Sequence, residues 1–368
     1  MTAPYAKKLA TQIQLSTDVI SHAMLTAELA CYWARVGEFE EAERLKTELR
    51  GTFGDGRDVR VSILIMCIEG LLLYFRDLSP GALDRLARAR LLSVASGHKS
   101  LIALTSAWLA HIHFNGNRFV EMADAIGVCI SALEKSNLPA VCRVAMLLGD
   151  AHLYSGKDAV AQRWYDYARS AALELGDQAF VGALTYNRSA LRVFVARLES
   201  TVVGLSDDHI RLLAGEVQSA INYQAIARLR SLDHLLATSR IGVLMLQRNY
   251  SLASAEIEAL LSSGEVTPLS SQASLLKADL AVCLAHANSI DASTSLVNEV
   301  LSLDLEGFDA GDRVLIYTSL RGSLRSLGLL NESKALDRPL AVAFANQRDQ
   351  ILAVEELLLP FTSLSSLN

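Results

Sequence analysis

Apolar positions recur at three- and four-residue intervals along this chain, broken at short polar turns, from about residue 18 to about residue 335. That is the spacing of helices with one buried face. The stretch 147–175, LLGDAHLYSGKDAVAQRWYDYARSAALEL, shows it most clearly: an apolar helix, a turn at Ser155-Gly156-Lys157-Asp158, and a second helix with small residues on its inner face. Two such helices cannot bury their apolar sides alone, so the pattern requires neighbours of the same kind.

The turns supply the period. Gly37-Glu38-Phe39-Glu40-Glu41-Ala42 is followed by a degenerate copy at Asp77, then by turns at Asn117, Gly156, Arg248, Asn288 and Gly328. Successive starts lie 40, 40, 39, 92, 40 and 40 residues apart, the interval of 92 spanning two units. Seven positions before the turns stand Ala30, Ala110, Gly149, Ile241, Ala281 and Arg321, and the small ones let a helix touch its partner closely. Asp177 and Asp312 are the expected N-caps of their helices, and Ser206-Asp207-Asp208 caps a helix reaching about Asn222. The expected organisation is an N-terminal helix or frayed end (1–17), a first sub-array (18–198), a second sub-array after an irregular junction (199–335), and a C-terminal capping helix with a loose tail (336–368, the tail from Pro360).

Ala30…Trp33…Gly37-Glu38-Phe39-Glu40-Glu41-Ala42 and Gly149…His152…Gly156…Ala161…Tyr165…Ala168 resemble tetratricopeptide repeats (TPRs). The period of about 40 exceeds that family's usual 34. The longer units and the join Ala172-Leu173-Glu174-Leu175-Gly176-Asp177 are similar to the repeat regions of MalT-type bacterial regulators, without their nucleotide-binding or DNA-binding modules. The resemblance implies an all-α, right-handed superhelical solenoid of about eight TPR-like helix pairs, with the first helix of each pair lining a concave face. It also implies a non-enzymatic scaffold for protein–protein interaction, binding a peptide or protein there. The alternative is a ligand- or peptide-sensing regulatory module of a bacterial signalling or transcription system.

By register, His111 and Asn115, then Arg143, Met146, Asp150 and Tyr154, then Tyr186, Asn187 and Arg188 are the residues expected on that concave face. Asn can serve both donor and acceptor of an extended peptide, and Arg can pair a carboxylate.

Composition narrows the remaining classes. With 51% hydrophobic and 20% charged residues the chain is not of the disordered type. A net charge of −6 argues against a phosphate-backbone binder, so no direct nucleic-acid partner is expected. The run Val61–Phe75 is too short to span a bilayer and carries Glu69, so no membrane partner is expected either. Five cysteines without a CxxC pair read as core residues of a reducing compartment, and the N-terminus lacks the apolar core of a signal peptide, which together predict a cytoplasmic protein. Apolar terminal helices leave room for a homodimer.

Candidate chemistry is sparse. Gly51–Gly56 lacks the Gly-Lys-Ser/Thr ending of a phosphate loop, and His111-Ile112-His113 points its imidazoles to different faces. Asp207-Asp208-His209 reads as a helix start. No catalytic residue, cofactor or metal is therefore expected.

Overall fold

The helical period is realised throughout. The computed structural model describes residues 4–76, 79–227, 229, 233–267 and 270–363, and all regular structure among them is helical. The chain divides into two compact units: Met1–Thr185 with Tyr223–Leu232 and Glu355–Asn368, and Tyr186–Asn222 with Asp233–Val354.

Unit 1 begins with α1 (Pro4–Leu15) and continues through α2 (Val19–Val36), α3 (Phe39–Phe53), α4 (Val59–Phe75), α5 (Gly81–Ser96), α6 (Lys99–Asn115), α7 (Phe119–Ala132), α8 (Leu138–Tyr154) and α9 (Asp158–Leu175) to the start of α10 (Gln178–Ser200). Helices pack in neighbouring pairs, α2 with α3, α4 with α5, α6 with α7 and α8 with α9, and α2 also packs on α4 and α6 on α8. Small residues make these approaches possible. Ala30 and Ala110 are fully buried, and a Cβ on Gly149 would stand 2.6 Å from the Tyr165 ring. Gly70 holds the equivalent place in the second pair, where a Cβ would lie 2.7 Å from Leu86 Cγ.

The expected turn residues adopt a left-handed backbone: Gly37 at φ 90°, Asn117 at 55° and Gly156 at 75°. This closes a helix with one residue that Gly, and less easily Asn, can supply. The expected turn at Asp77 lies outside the described residues. The apolar run Val61–Phe75 becomes α4, with Ile63, Ile68 and Leu71 fully buried. Glu69 on that helix is held by Arg50 and, at 3.5 Å, by Arg85. Among the described residues no helix is long and apolar enough to cross a membrane.

Unit 2 contains the remainder of α10, then α11 (Asp207–Ala227, to Asn222), α12 (Asp233–Leu246), α13 (Tyr250–Ser262), α14 (Ser271–His286), α15 (Ile290–Leu301), α16 (Ala310–Ser326), α17 (Leu330–Ala335) and most of α18 (Asp337–Leu358). Arg248, Asn288 and Gly328 repeat the left-handed turn at φ 56°, 58° and 75°. α14 is central, packing on α13, α15 and α16.

Two caps were assigned correctly and one was displaced. Ser206 Oγ accepts from His209 N at 3.2 Å, and Asp177 accepts from Phe180 N at 3.0 Å. The cap of α16 is Asp309, which accepts from Gly311 N at 2.8 Å; Asp312 is already the third helical residue. α11 also outruns its expected end at Asn222 to reach Ala227.

The tail differs from expectation in unit 1. The Phe361 carbonyl accepts from Trp164 Nε1 at 3.1 Å, with His152 Nε2 3.0 Å away, and Glu355 pairs with Lys157 at 2.5 Å. Two ring N–H groups on α8 and α9 thus tie down the backbone at Phe361. Residues 364–368 lie outside the described part.

Candidate functional site: an apolar cavity with a buried arginine

The packing of unit 1 leaves a cavity of about 420 Å³, partly open to solvent. α1 contributes Tyr5, α2 contributes Met24, Leu25, Glu28, Cys31 and Arg35, and α4 contributes Leu64 and Cys67. Leu101, Leu104 and Trp108 come from α6, Cys142 and Arg143 from α8, and Asp177 and Phe180 from the start of α10. The wall is therefore mainly apolar, with a few charged groups set into it.

Those charges are not equivalent. Arg35 donates to Asp177 at 2.7 Å, with both side chains nearly buried. Burial pulls the Arg35 guanidinium down, but Asp177 outweighs it and the net direction is upward. Glu28 accepts a hydrogen bond from the Tyr5 hydroxyl. Burial raises the Glu28 carboxyl above its ordinary range, and burial together with Glu28 raises the Tyr5 phenol.

Arg143 stands apart. It is only 4% exposed, and its guanidinium carbon lies 3.7 Å from the centre of the Trp108 ring and 5.2 Å from that of Phe180. Stacking on aromatic faces is a favourable setting for a guanidinium. It satisfies none of the five N–H donors, however. Among the described residues Arg143 makes no hydrogen bond and no ion pair. Burial, reinforced by Arg35, pulls its pKa down to about 9, which still leaves it a cation at neutral pH.

The thiols here are protonated and unreactive, because burial pushes Cys31 and Cys142 up to about 12 and Cys67 well above its ordinary value. Among the described residues no group of three or more His, Cys, Asp or Glu could hold a metal ion. What the arrangement can do is bind: it offers an apolar volume and one guanidinium that no carboxylate among the described residues accepts from.

Of the residues singled out in the sequence, Arg143 is on this wall. His111 is buried, with Nε2 3.4 Å from the Tyr74 hydroxyl and 3.3 Å from Asn115 Nδ2, and Asn115 also donates to Tyr74. Trp108 joins the two groups, its ring centre 6.0 Å from that of His111. Burial, then Arg143, pulls His111 down to about 3, so this imidazole is neutral. Met146 is fully buried, Asp150 accepts from the Tyr165 hydroxyl at 2.8 Å, and Tyr154 packs on Phe114 and Phe119. Asp150 thus joins α8 to α9, and Tyr154 joins α8 to the α6–α7 pair. Tyr186, Asn187 and Arg188 are half-buried on α10 in unit 2, Arg188 lying 3.9 Å from Glu216.

Glu28, Arg35, Trp108 and Phe180 do not stand out in the sequence, where Asp177 reads as a cap alone. The available signal was the seven-residue spacing of Glu28 and Arg35 on an otherwise apolar face of α2.

No protein-family model and no curated protein matches this sequence.

Proposed function

We propose that the chain is a ligand-sensing module in which unit 1 takes up a small molecule with an apolar body, rather than an extended peptide. The cavity of about 420 Å³ supports this reading. Its volume falls in the range of about 300–1,000 Å³ typical of small-molecule sites, and its wall combines apolar side chains with a few fixed polar groups. A ligand there touches α1, α2, α4, α6, α8 and α10 together, so occupancy stabilises their arrangement by mass action. That is the coupling a regulatory module needs. The finer fold reading, right-handed TPR-like winding of about eight pairs with a capping helix, belongs to the same proposal, supported by the forty-residue recurrence of left-handed turn residues.

The neutral fluorophore N-phenyl-1-naphthylamine tests the cavity. Wild-type protein should bind one equivalent with a rise in emission, and Leu104→Trp, which fills the volume, should weaken binding at least about tenfold. Equal binding by both proteins overturns the assignment.

A scaffold that binds a peptide or protein partner is the second reading. It is favoured by the half-buried, partly open set Tyr186, Asn187 and Arg188 on α10. It predicts that partner binding is lost in Asn187→Ala with Arg188→Ala while the helical circular-dichroism signal persists.

A further inference from the structure

Taking the cavity of unit 1 as a ligand site, the charges on its wall specify the ligand more closely. Arg35 and Asp177 neutralise one another at 2.7 Å. Glu28 shares its carboxyl with the Tyr5 hydroxyl. Arg143 is left as a buried cation with no carboxylate among the described residues to accept from it.

An isolated buried charge is costly, and an arginine in this position would ordinarily be paired. Its environment accounts for orientation but not for charge. The Trp108 ring 3.7 Å away covers a face of the guanidinium, and stacking on a face leaves the N–H edge available in the plane. That edge matches the two oxygens of a carboxylate. The two carboxylates on the same wall limit the anion: a monoanion brings one charge to Arg143, while a phosphate dianion would bring a second beside Glu28 and Asp177.

We infer that unit 1 binds an amphipathic monocarboxylate, its carboxylate paired with the N–H edge of Arg143 and its apolar body lying against Leu64, Leu101 and Leu104. The side chain of Arg143 is 4% exposed, so this pairing takes place away from bulk water, where a charge-assisted contact is strongest.

The inference rests on the cavity reading above, and displacement of the bound neutral fluorophore separates the two. Decanoate, decan-1-ol and decyl phosphate share one apolar body and differ in the head. Decanoate should displace the dye from wild-type protein at least about tenfold more tightly than decan-1-ol, the margin of a charge-assisted hydrogen bond. In Arg143→Met the two should fall within about twofold of each other while the dye still binds. Arg143→Gln, polar and neutral, should lose the same preference and covers the case in which the Met variant misfolds. Equal displacement by decanoate and decan-1-ol in the wild type overturns the carboxylate assignment and leaves the cavity reading standing. Tighter binding of decyl phosphate overturns the monoanion. Failure of the dye itself to bind overturns the cavity reading, and this inference with it.

Discussion

Arg197 on the cavity wall of unit 2 and Arg143 on that of unit 1 are treated in opposite ways. In unit 2 the cavity is larger, about 830 Å³, and Arg197 lines it. That guanidinium donates at 2.8 Å to Asp279, which is fully buried and also accepts from Ser319 Oγ at 2.7 Å. In unit 1 the cavity is about 420 Å³, and Arg143 faces aromatic rings with no carboxylate among the described residues. Size alone would favour unit 2 as the ligand site; charge favours unit 1. A buried arginine with its acid in place has its requirement met within the protein. One without an acid has a requirement that a ligand can meet.

The largest effect expected from this contrast is on stability in unit 2. Asp279→Ala leaves Arg197 as an uncompensated, nearly buried cation and should lower unfolding free energy by about 3–5 kcal/mol, measured by urea denaturation. The double replacement Arg197→Met with Asp279→Leu should recover most of that loss. A loss below about 1 kcal/mol for the single variant would mean that the pair is too hydrated to resemble a structural ion pair.

Asp177→Ala performs the same operation in unit 1, where Arg35 would lose the Asp177 carboxylate and α10 its cap. A loss of about 3 kcal/mol or more is expected. This variant also removes one negative charge from the cavity wall, so the margin between decanoate and decan-1-ol should not shrink. A smaller margin would show that the Arg35–Asp177 pair, rather than Arg143, orients the anion.

A pH series gives a smaller signal. His111 titrates near 6.5 in the unfolded chain but is held down to about 3 in the fold, chiefly by burial and then by Arg143. The unfolded state therefore binds the extra proton between those values. Stability from this group is complete above about pH 6.5 and falls as pH drops toward 3, by at most about 1.4 kcal/mol per pH unit. His111→Phe should flatten the slope of stability against pH between 6.5 and 4.5 relative to wild type. Identical slopes would show that His111 is protonated in the fold and is not kept neutral beside Arg143. Glu28, raised by burial, acts in the opposite sense in both proteins and cancels in the comparison.

Much of the helical framework was legible because it rests on local rules. Gly37, Asn117, Gly156, Arg248, Asn288 and Gly328 are marked by the recurring turn pattern and its spacing, and each has the positive φ that ends a helix. Gly149 was legible as a contact point because a helix pair needs a small residue where Tyr165 crosses. The cavity was not legible, apart from Arg143. Arg35 and Asp177 meet across 142 residues of sequence, and Trp108, Arg143 and Phe180 come from three separate helices. No periodicity within one helix encodes such a meeting. Register also placed Asp150 on the helix of Arg143, without showing that Tyr165 of α9 donates to it.

The smallest expected effect is the most direct test of whether Arg143 is kept for a ligand. Replacing an unpaired buried cation by an apolar side chain of similar length removes a desolvation cost and no ion pair. Ligand-free Arg143→Met should therefore be as stable as wild type or more so, by about 1 kcal/mol, a rise of roughly 1–2 °C in melting temperature for a chain of 368 residues. A fall of more than about 4 °C would show that Arg143 holds the fold together and would contradict its assignment to a ligand.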